Sequence, residues 1–297
     1  MDLASGWFGG RPALASAQLR QARDQGWSGV SLLPEDPSLE LEGIEEARRD
    51  LGRGFSAAAW DALQAPAHRT AADGHSSAVS TTQEAALARI GETLRRLERL
   101  DAPLLVVASG LDDDPRRREE GEALLGRLSC GERIEPEEGP ELHDRLPRQD
   151  RERQLEAFAR FLFELIHRAG GRRVAIAAAP SPAAVLDPEG LALLFGEPSL
   201  RGLGYWHRTG AVQARAALGL EEPGAWLEAG AAAAVGATLE DWGEGRGRLF
   251  PGEGEVDLRL LAEYLPRRAV RVLSLAPGYP GAALQEAREA LESLGLG

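Results

Sequence analysis

The sequence predicts an α/β barrel of eight parallel strands, each followed by a helix. Three observations carry that prediction. Short apolar runs alternate with segments of helical periodicity, the pattern of a parallel sheet whose connections are helices. Eight such runs can be counted, at residues 3–6, 29–33, 54–59, 104–108, 173–178, 202–206, 234–239 and 270–275, and eight is the number that closes this barrel. The length of 297 residues is one at which such barrels form a single domain, so residues 1–297 are read as one unit.

The helices follow from spacing. Leu87, Ile90, Leu94 and Leu97 recur three or four residues apart, as do Leu155, Phe158, Leu162 and Leu165 with Ile166 beside the last, and again Leu284, Ala287, Leu291 and Leu294. Each stripe marks a helix with one buried face. Asp187-Pro188-Glu189 reads as a helix start, and Asp257 is placed to cap a helix that begins at Leu258. Residues 111–150 break the rhythm. They are dense in Asp, Glu and Arg and poor in large apolar side chains. This acidic insertion follows the fourth strand, hence the catalytic face, and is expected as a charged loop with one or two helical turns over residues 122–128.

Composition removes several chemistries. Against 47 acidic residues stand 34 basic ones, a formal net charge of −13, which repels a phosphate backbone and argues against nucleic acid as a partner. Every one of the basic residues is arginine, so no Schiff-base lysine and no phosphate-loop lysine is available. Cys130 is the single cysteine, which rules out an intrachain disulfide and a cysteine-based zinc site. No apolar run reaches the roughly 20 residues of a membrane span, and no leader is evident. The expectation is a cytoplasmic protein with no membrane or nucleic-acid partner; an oligomer is left open.

The run Phe250-Pro251-Gly252-Glu253-Gly254-Glu255-Val256-Asp257 resembles the turn after the seventh strand of xylose-isomerase-like TIM barrels, the sugar phosphate isomerase/epimerase group. The resemblance implies carboxylate and histidine metal ligands at the C-terminal ends of several strands. Position by position, they are missing. In Gly204-Tyr205-Trp206-His207-Arg208-Thr209-Gly210-Ala211-Val212, Gly210 matches, but Arg208 stands at the ligand Asp and Val212 near the ligand His. In Gly236-Ala237-Thr238-Leu239-Glu240-Asp241, Thr238 replaces the ligand His. Strand five, with Ala177-Ala178-Ala179, offers no Glu; strand eight has Ser274 in its place; and the His positions of strands three and four fall near Ala59 and Ala108. No metal and no other cofactor is expected.

The polar residues left at the barrel mouth are Glu35 and Asp36 after strand two, Trp60 and Asp61 after strand three, and Ser109 after strand four. After strand six come Trp206, His207 and Arg208, with Arg208 and Trp206 on one face and His207 on the other. Arg208 paired with Glu240 or Asp241 would form an internal salt bridge that plugs the pocket, the preferred reading, or else offer a fixed cation to a carboxylate or a sugar oxygen. Arg246 and Arg248, interleaved with Gly243, Gly245 and Gly247, would suit a phosphate on a glycine-rich loop, although a flexible surface loop is the preferred reading. His68, His75, His143 and His167 show no ligand spacing. The resemblance and the missing ligands together predict a pseudoenzyme that binds a sugar-like small molecule or a protein partner. The alternative is a divergent, metal-independent sugar isomerase or epimerase in which Glu240, Asp241 or Glu35 moves protons. A metal-dependent nuclease relative is opposed by both the charge and the missing ligands.

Overall fold

The computed structural model describes residues 1–8, 14–32, 42–51, 56–61 and 76–297. Its strands are β1 (Asp2–Ala4), β2 (Gly29–Leu32), β3 (Ser56–Asp61), β4 (Leu104–Ala108), β5 (Arg173–Ala177), β6 (Gly204–Arg208), β7 (Ala234–Leu239), β8 (Asp241–Gly243), β9 (Arg246–Leu249) and β10 (Val270–Leu273). The helices are α1 (Ala15–Asp24), α2 (Ile44–Leu51), α3 (Ser80–Leu100), α4 (Pro115–Ser129), α5 (Glu138–Asp144), α6 (Arg148–Arg168), α7 (Pro188–Gly196), α8 (Thr209–Ala217), α9 (Pro223–Gly230), α10 (Leu258–Tyr264) and α11 (Gly281–Ser293). Strands β1 to β7 and β10 close into a parallel barrel in the order β1-β10-β7-β6-β5-β4-β3-β2. This is the α/β barrel the alternating pattern predicts.

Alternation along each strand divides the apolar residues into two cores. Ala4, Leu104, Val106, Ala175, Ala177, Trp206 and Val272 pack together inside the barrel. Their chain neighbours Leu3, Leu105, Val107, Ile176, Tyr205 and Leu273 face outward, against Phe158, Phe161, Leu162, Leu284 and Leu291 of α6 and α11. Among the described residues, small and medium side chains line much of the interior and Trp206 fills it: Trp206 is fully buried, its ring lies where a side chain at Gly236 would stand, and its Nε1 donates to Thr238 Oγ1 at 2.9 Å. The buried indole thus keeps its one donor satisfied.

Two strands are displaced from their predicted places. The third spans Ser56–Asp61, since Trp60 and Asp61 continue the ladder against Leu105 and Val106. The sixth spans Gly204–Arg208, because Gly202 adopts φ +96° and so belongs to the turn before it. His207 and Arg208 are therefore strand residues.

The acidic insertion is helical, where the sequence predicts a charged loop. Pro115 occupies the first turn of α4 and the Asp114 side chain accepts from Arg116 N at 3.0 Å, a regular helix start. The few apolar residues of the segment suffice because others complete their core: Leu124, Leu128 and Ile134 pack with Ala214, Leu218 and Trp242. Arg117, buried, pairs with buried Asp112 and donates to Leu142 O at 3.0 Å, while Gln154 donates to the same Asp112 at 3.0 Å. These bonds tie α4, α5 and α6 to the end of β4.

The expected glycine-rich loop after strand seven is a β-hairpin, β8 paired antiparallel with β9. Glu244 and Gly245 at its tip both have positive φ, +51° and +75°, the backbone a two-residue hairpin turn needs. Gly245 abuts the carbonyl of Leu128 with no room for a side chain, so the hairpin tip is wedged against the end of α4.

Candidate active site at the barrel mouth

Arg208 ends β6 on the interior face. It lies in register with Thr238, whose hydroxyl is bonded to interior Trp206, and only 8% of its surface is exposed. Glu240 follows on the same side of the next strand, 6% exposed. Its backbone is gripped by Thr209, the first residue of α8: the Thr209 hydroxyl accepts from Glu240 N at 3.0 Å and donates to Glu240 O at 2.5 Å. Its carboxylate lies over Gly210, where a Cβ would stand 2.5 Å from Oε1. Gly210 is thus required for space. Thr209 was not singled out from the sequence, and the hydroxyl between the two strand ends is visible only in the fold. Ser274, 1% exposed, stands at the end of β10, its N–H donating to Leu239 O at 2.9 Å. Arg208, Glu240 and Ser274 therefore stand at or just beyond the ends of three neighbouring strands, β6, β7 and β10.

Other expected site residues have structural duties. Asp241 was expected as a proton carrier or a partner for Arg208. Its Oδ1 instead accepts from Trp242 N (2.8 Å) and Val256 N (3.1 Å), and its Oδ2 from Gly252 N (2.7 Å) and Gly254 N (3.0 Å). Four backbone donors saturate the carboxylate and hold the 250–256 turn in place. Ser109 was expected to meet a ligand; it is fully buried, and its Oγ accepts from Ala179 N at 3.1 Å, joining the ends of β4 and β5. Trp206, also expected to contact a ligand, is the sealed floor described above. Arg246 is exposed, pairing with Glu244 at 3.3 Å on the hairpin; Arg248, half-buried, sits at φ +59° with its carbonyl accepting from Ala276 N at 3.0 Å. Neither belongs to a flexible glycine loop.

Trp60 and Asp61 contribute strand backbone, and their side chains lie outside the described residues, as do Glu35, Asp36, His68 and His75 entirely. His143 lies on α5 and His167 on α6. His207 points outward: it is 3% exposed and shares a 2.8 Å hydrogen bond between Nδ1 and the Tyr205 hydroxyl. Burial pushes its pKa down to about 3 and raises that of Tyr205, so the imidazole is neutral, on the outer face of β6.

No protein-family model matches the sequence, and no curated protein is similar to it in sequence. Solved structures do match. A probable 3-DHS dehydratase, AsbF of Bacillus anthracis, superposes with a TM-score of 0.67 at 10% identity, covering 98% of each chain. The Escherichia coli 3-keto-D-glucoside 4-epimerase YcjR does so at 0.63 and 13% identity, again over 98% of each chain. An IOLI protein with a bound zinc atom matches at 0.64 and 12% identity, over 99% of this chain and 97% of that one. The chain has the xylose-isomerase-like TIM-barrel fold. Its structural neighbours include epimerases, a dehydratase and further xylose-isomerase-domain proteins.

A zinc atom in one xylose-isomerase-like barrel raises the question whether this mouth suits a metal. The ends of β5, β6 and β10 carry Ala177, Arg208 and Ser274, and β7 carries Thr238 with Glu240 just beyond its last residue. A guanidinium cannot ligate a cation and its fixed charge opposes one, the Thr238 hydroxyl is engaged by the indole, and alanine has no donor. Among the described residues no three His, Cys, Asp or Glu side chains cluster as metal ligands. Among the described residues, a single carboxylate, Glu240, beside the fixed charge of Arg208 does not fit a divalent cation.

Proposed function

We propose that this protein is an isomerase or epimerase of a sugar or related polyol, working by proton transfer next to a carbonyl group. The observation that supports the proposal is that Arg208 and Glu240, both buried, stand at the ends of neighbouring strands, with the Glu240 backbone clamped by Thr209 and its carboxylate accommodated by Gly210. The epimerase neighbours support the same reading over that of a partner-binding pseudoenzyme.

The chemistry asked of the pair is simple. The Glu240 carboxylate takes the proton from the carbon beside the carbonyl. The electron pair left behind moves onto the carbonyl oxygen, where the Arg208 guanidinium, preorganised in a buried site, stabilises the developing oxyanion. Glu240 passing its proton to solvent while a water molecule protonates the same carbon from the opposite face gives the epimer; return of the proton from Glu240 to the former carbonyl carbon, with the hydroxyl proton of the first carbon moving to the former carbonyl oxygen, gives the isomer.

The test is exchange with solvent. A panel of ketoses and keto-sugars is incubated with the protein in deuterium oxide and read by proton NMR at the carbon beside the carbonyl. Deuterium incorporation with at least one sugar is expected, and Glu240→Gln should lower it by about a hundredfold or more. Full exchange in Glu240→Gln would remove Glu240 from this role. No exchange with any sugar would return the protein to the pseudoenzyme reading.

A further inference from the structure

We propose that the guanidinium of Arg208 performs at this mouth the task a divalent cation performs in a metal-bearing barrel, so that the protein polarises its ligand's oxygens with no metal at all. The catalytic half of this inference rests on the proposed isomerase reading; the metal half does not.

Three features carry it. First, Arg208 is a buried, permanent cation at the end of β6, on the interior face that would look onto a bound ion. Second, the flanking strand ends are rebuilt to match. Thr238 gives its oxygen to the indole of Trp206 rather than to an ion. Trp206 fills the barrel directly beneath, over Gly236, and Ala177 ends β5 without a donor. Third, Glu240 is held through its backbone by Thr209, and its carboxylate lies over Gly210 at the start of α8. A planar guanidinium presents two parallel N–H donors in a fixed fork. It therefore suits a ligand with two adjacent oxygens, a hydroxyl beside a carbonyl, which is the same pair a metal would chelate.

The full chain is incubated separately with manganese, cobalt, magnesium and zinc, desalted and assayed by elemental analysis. Its melting temperature is read with and without each ion, since binding to the native state raises it. The expected result is no metal above background and no shift. One metal per chain with a melting temperature that rises and falls back on chelation overturns the inference, whatever the catalytic activity. On an exchanging sugar, chelator should leave wild-type exchange intact, and Arg208→Ala should lower it by about a hundredfold. Millimolar guanidinium chloride should restore part of that loss where manganese does not; recovery with manganese alone would overturn the substitution. If no sugar exchanges, the isomerase reading fails, and the metal measurement still decides between a guanidinium and an ion.

Discussion

Asp241 fills the space that a side chain at Gly254 would need, and its Oδ2 accepts the Gly254 N–H at 3.0 Å. The 250–257 run that most resembles a family motif is therefore a backbone cradle for one carboxylate, closed at its far end by Asp257, which accepts from Arg259 N and Leu260 N to start α10. This fixes the first prediction. Asp241→Ala leaves four N–H groups without their acceptor, and each buried unsatisfied donor costs roughly 1–3 kcal/mol, softened by water near the turn. The expected loss is about 3–4 kcal/mol, read as a lower urea midpoint. A variant as stable as wild type but without exchange activity would hand Asp241 back to the chemistry.

A second buried charge holds the outer layer together. The Arg215 guanidinium is fully buried. It donates to Glu221 through Nε (2.7 Å) and Nη2 (2.6 Å), and through Nη1 to Ala179 O (3.2 Å) and Ser181 O (2.9 Å), beside the Trp226 ring. Glu221→Ala leaves that cation buried and uncompensated, at a cost of roughly 3–5 kcal/mol. Set against the 5–15 kcal/mol or so of a typical domain, this should lower the thermal midpoint sharply. A midpoint within a few degrees of wild type would mean that water or another acceptor replaces Glu221.

These two sites also mark what a linear reading can reach. The barrel was legible because its signals are local: alternation within a strand and a stripe along a helix. The start of β6 falls two residues later than the sequence predicts because the turn at Gly202 depends on a positive φ that the sequence does not display. Helix α4 was hidden because Leu124 and Leu128 find their apolar partners in Trp242 and Leu218, far along the chain. Arg208 and Glu240 were legible from strand spacing. The duties of Asp241 and Ser109 were not, since their partners are backbone N–H groups on other segments. A carboxylate that serves a turn looks the same in sequence as one that serves a substrate.

Asp2 offers a prediction in which sign matters. It is 6% exposed, in the strand whose Ala4 faces the barrel interior. Desolvation lifts its pKa from 3.8 to about 6, opposed by the nearby N-terminal ammonium. A raised folded pKa means that the native state holds a proton the unfolded chain has lost, so stability is greatest below pH 3.8 and falls as pH rises through about 6. The difference amounts to roughly 3 kcal/mol. Asp2→Asn should be more stable than wild type at pH 8 by an amount of that order, with the gain shrinking toward pH 4. A gain that does not change with pH would show that the asparagine acts through packing.

His207 should act in the opposite direction. Burial against Tyr205 lowers its pKa from 6.5 to about 3, so below pH 6.5 the unfolded chain takes up a proton that the native state refuses. Stability is then full above pH 6.5 and declines as pH falls toward 3. At pH 5 the deficit relative to pH 7 is about 2 kcal/mol. The variant that tests this is His207→Gln, which keeps a polar group near the Tyr205 hydroxyl but cannot titrate. Its urea midpoint should lie below wild type at pH 7 and lose less between pH 7 and pH 5. Asp2 contributes oppositely across the lower part of that range, so the two slopes are separated by measuring each variant and the double variant. Parallel wild-type and His207→Gln profiles would mean that the imidazole protonates without opening the α8–α9 side of the barrel.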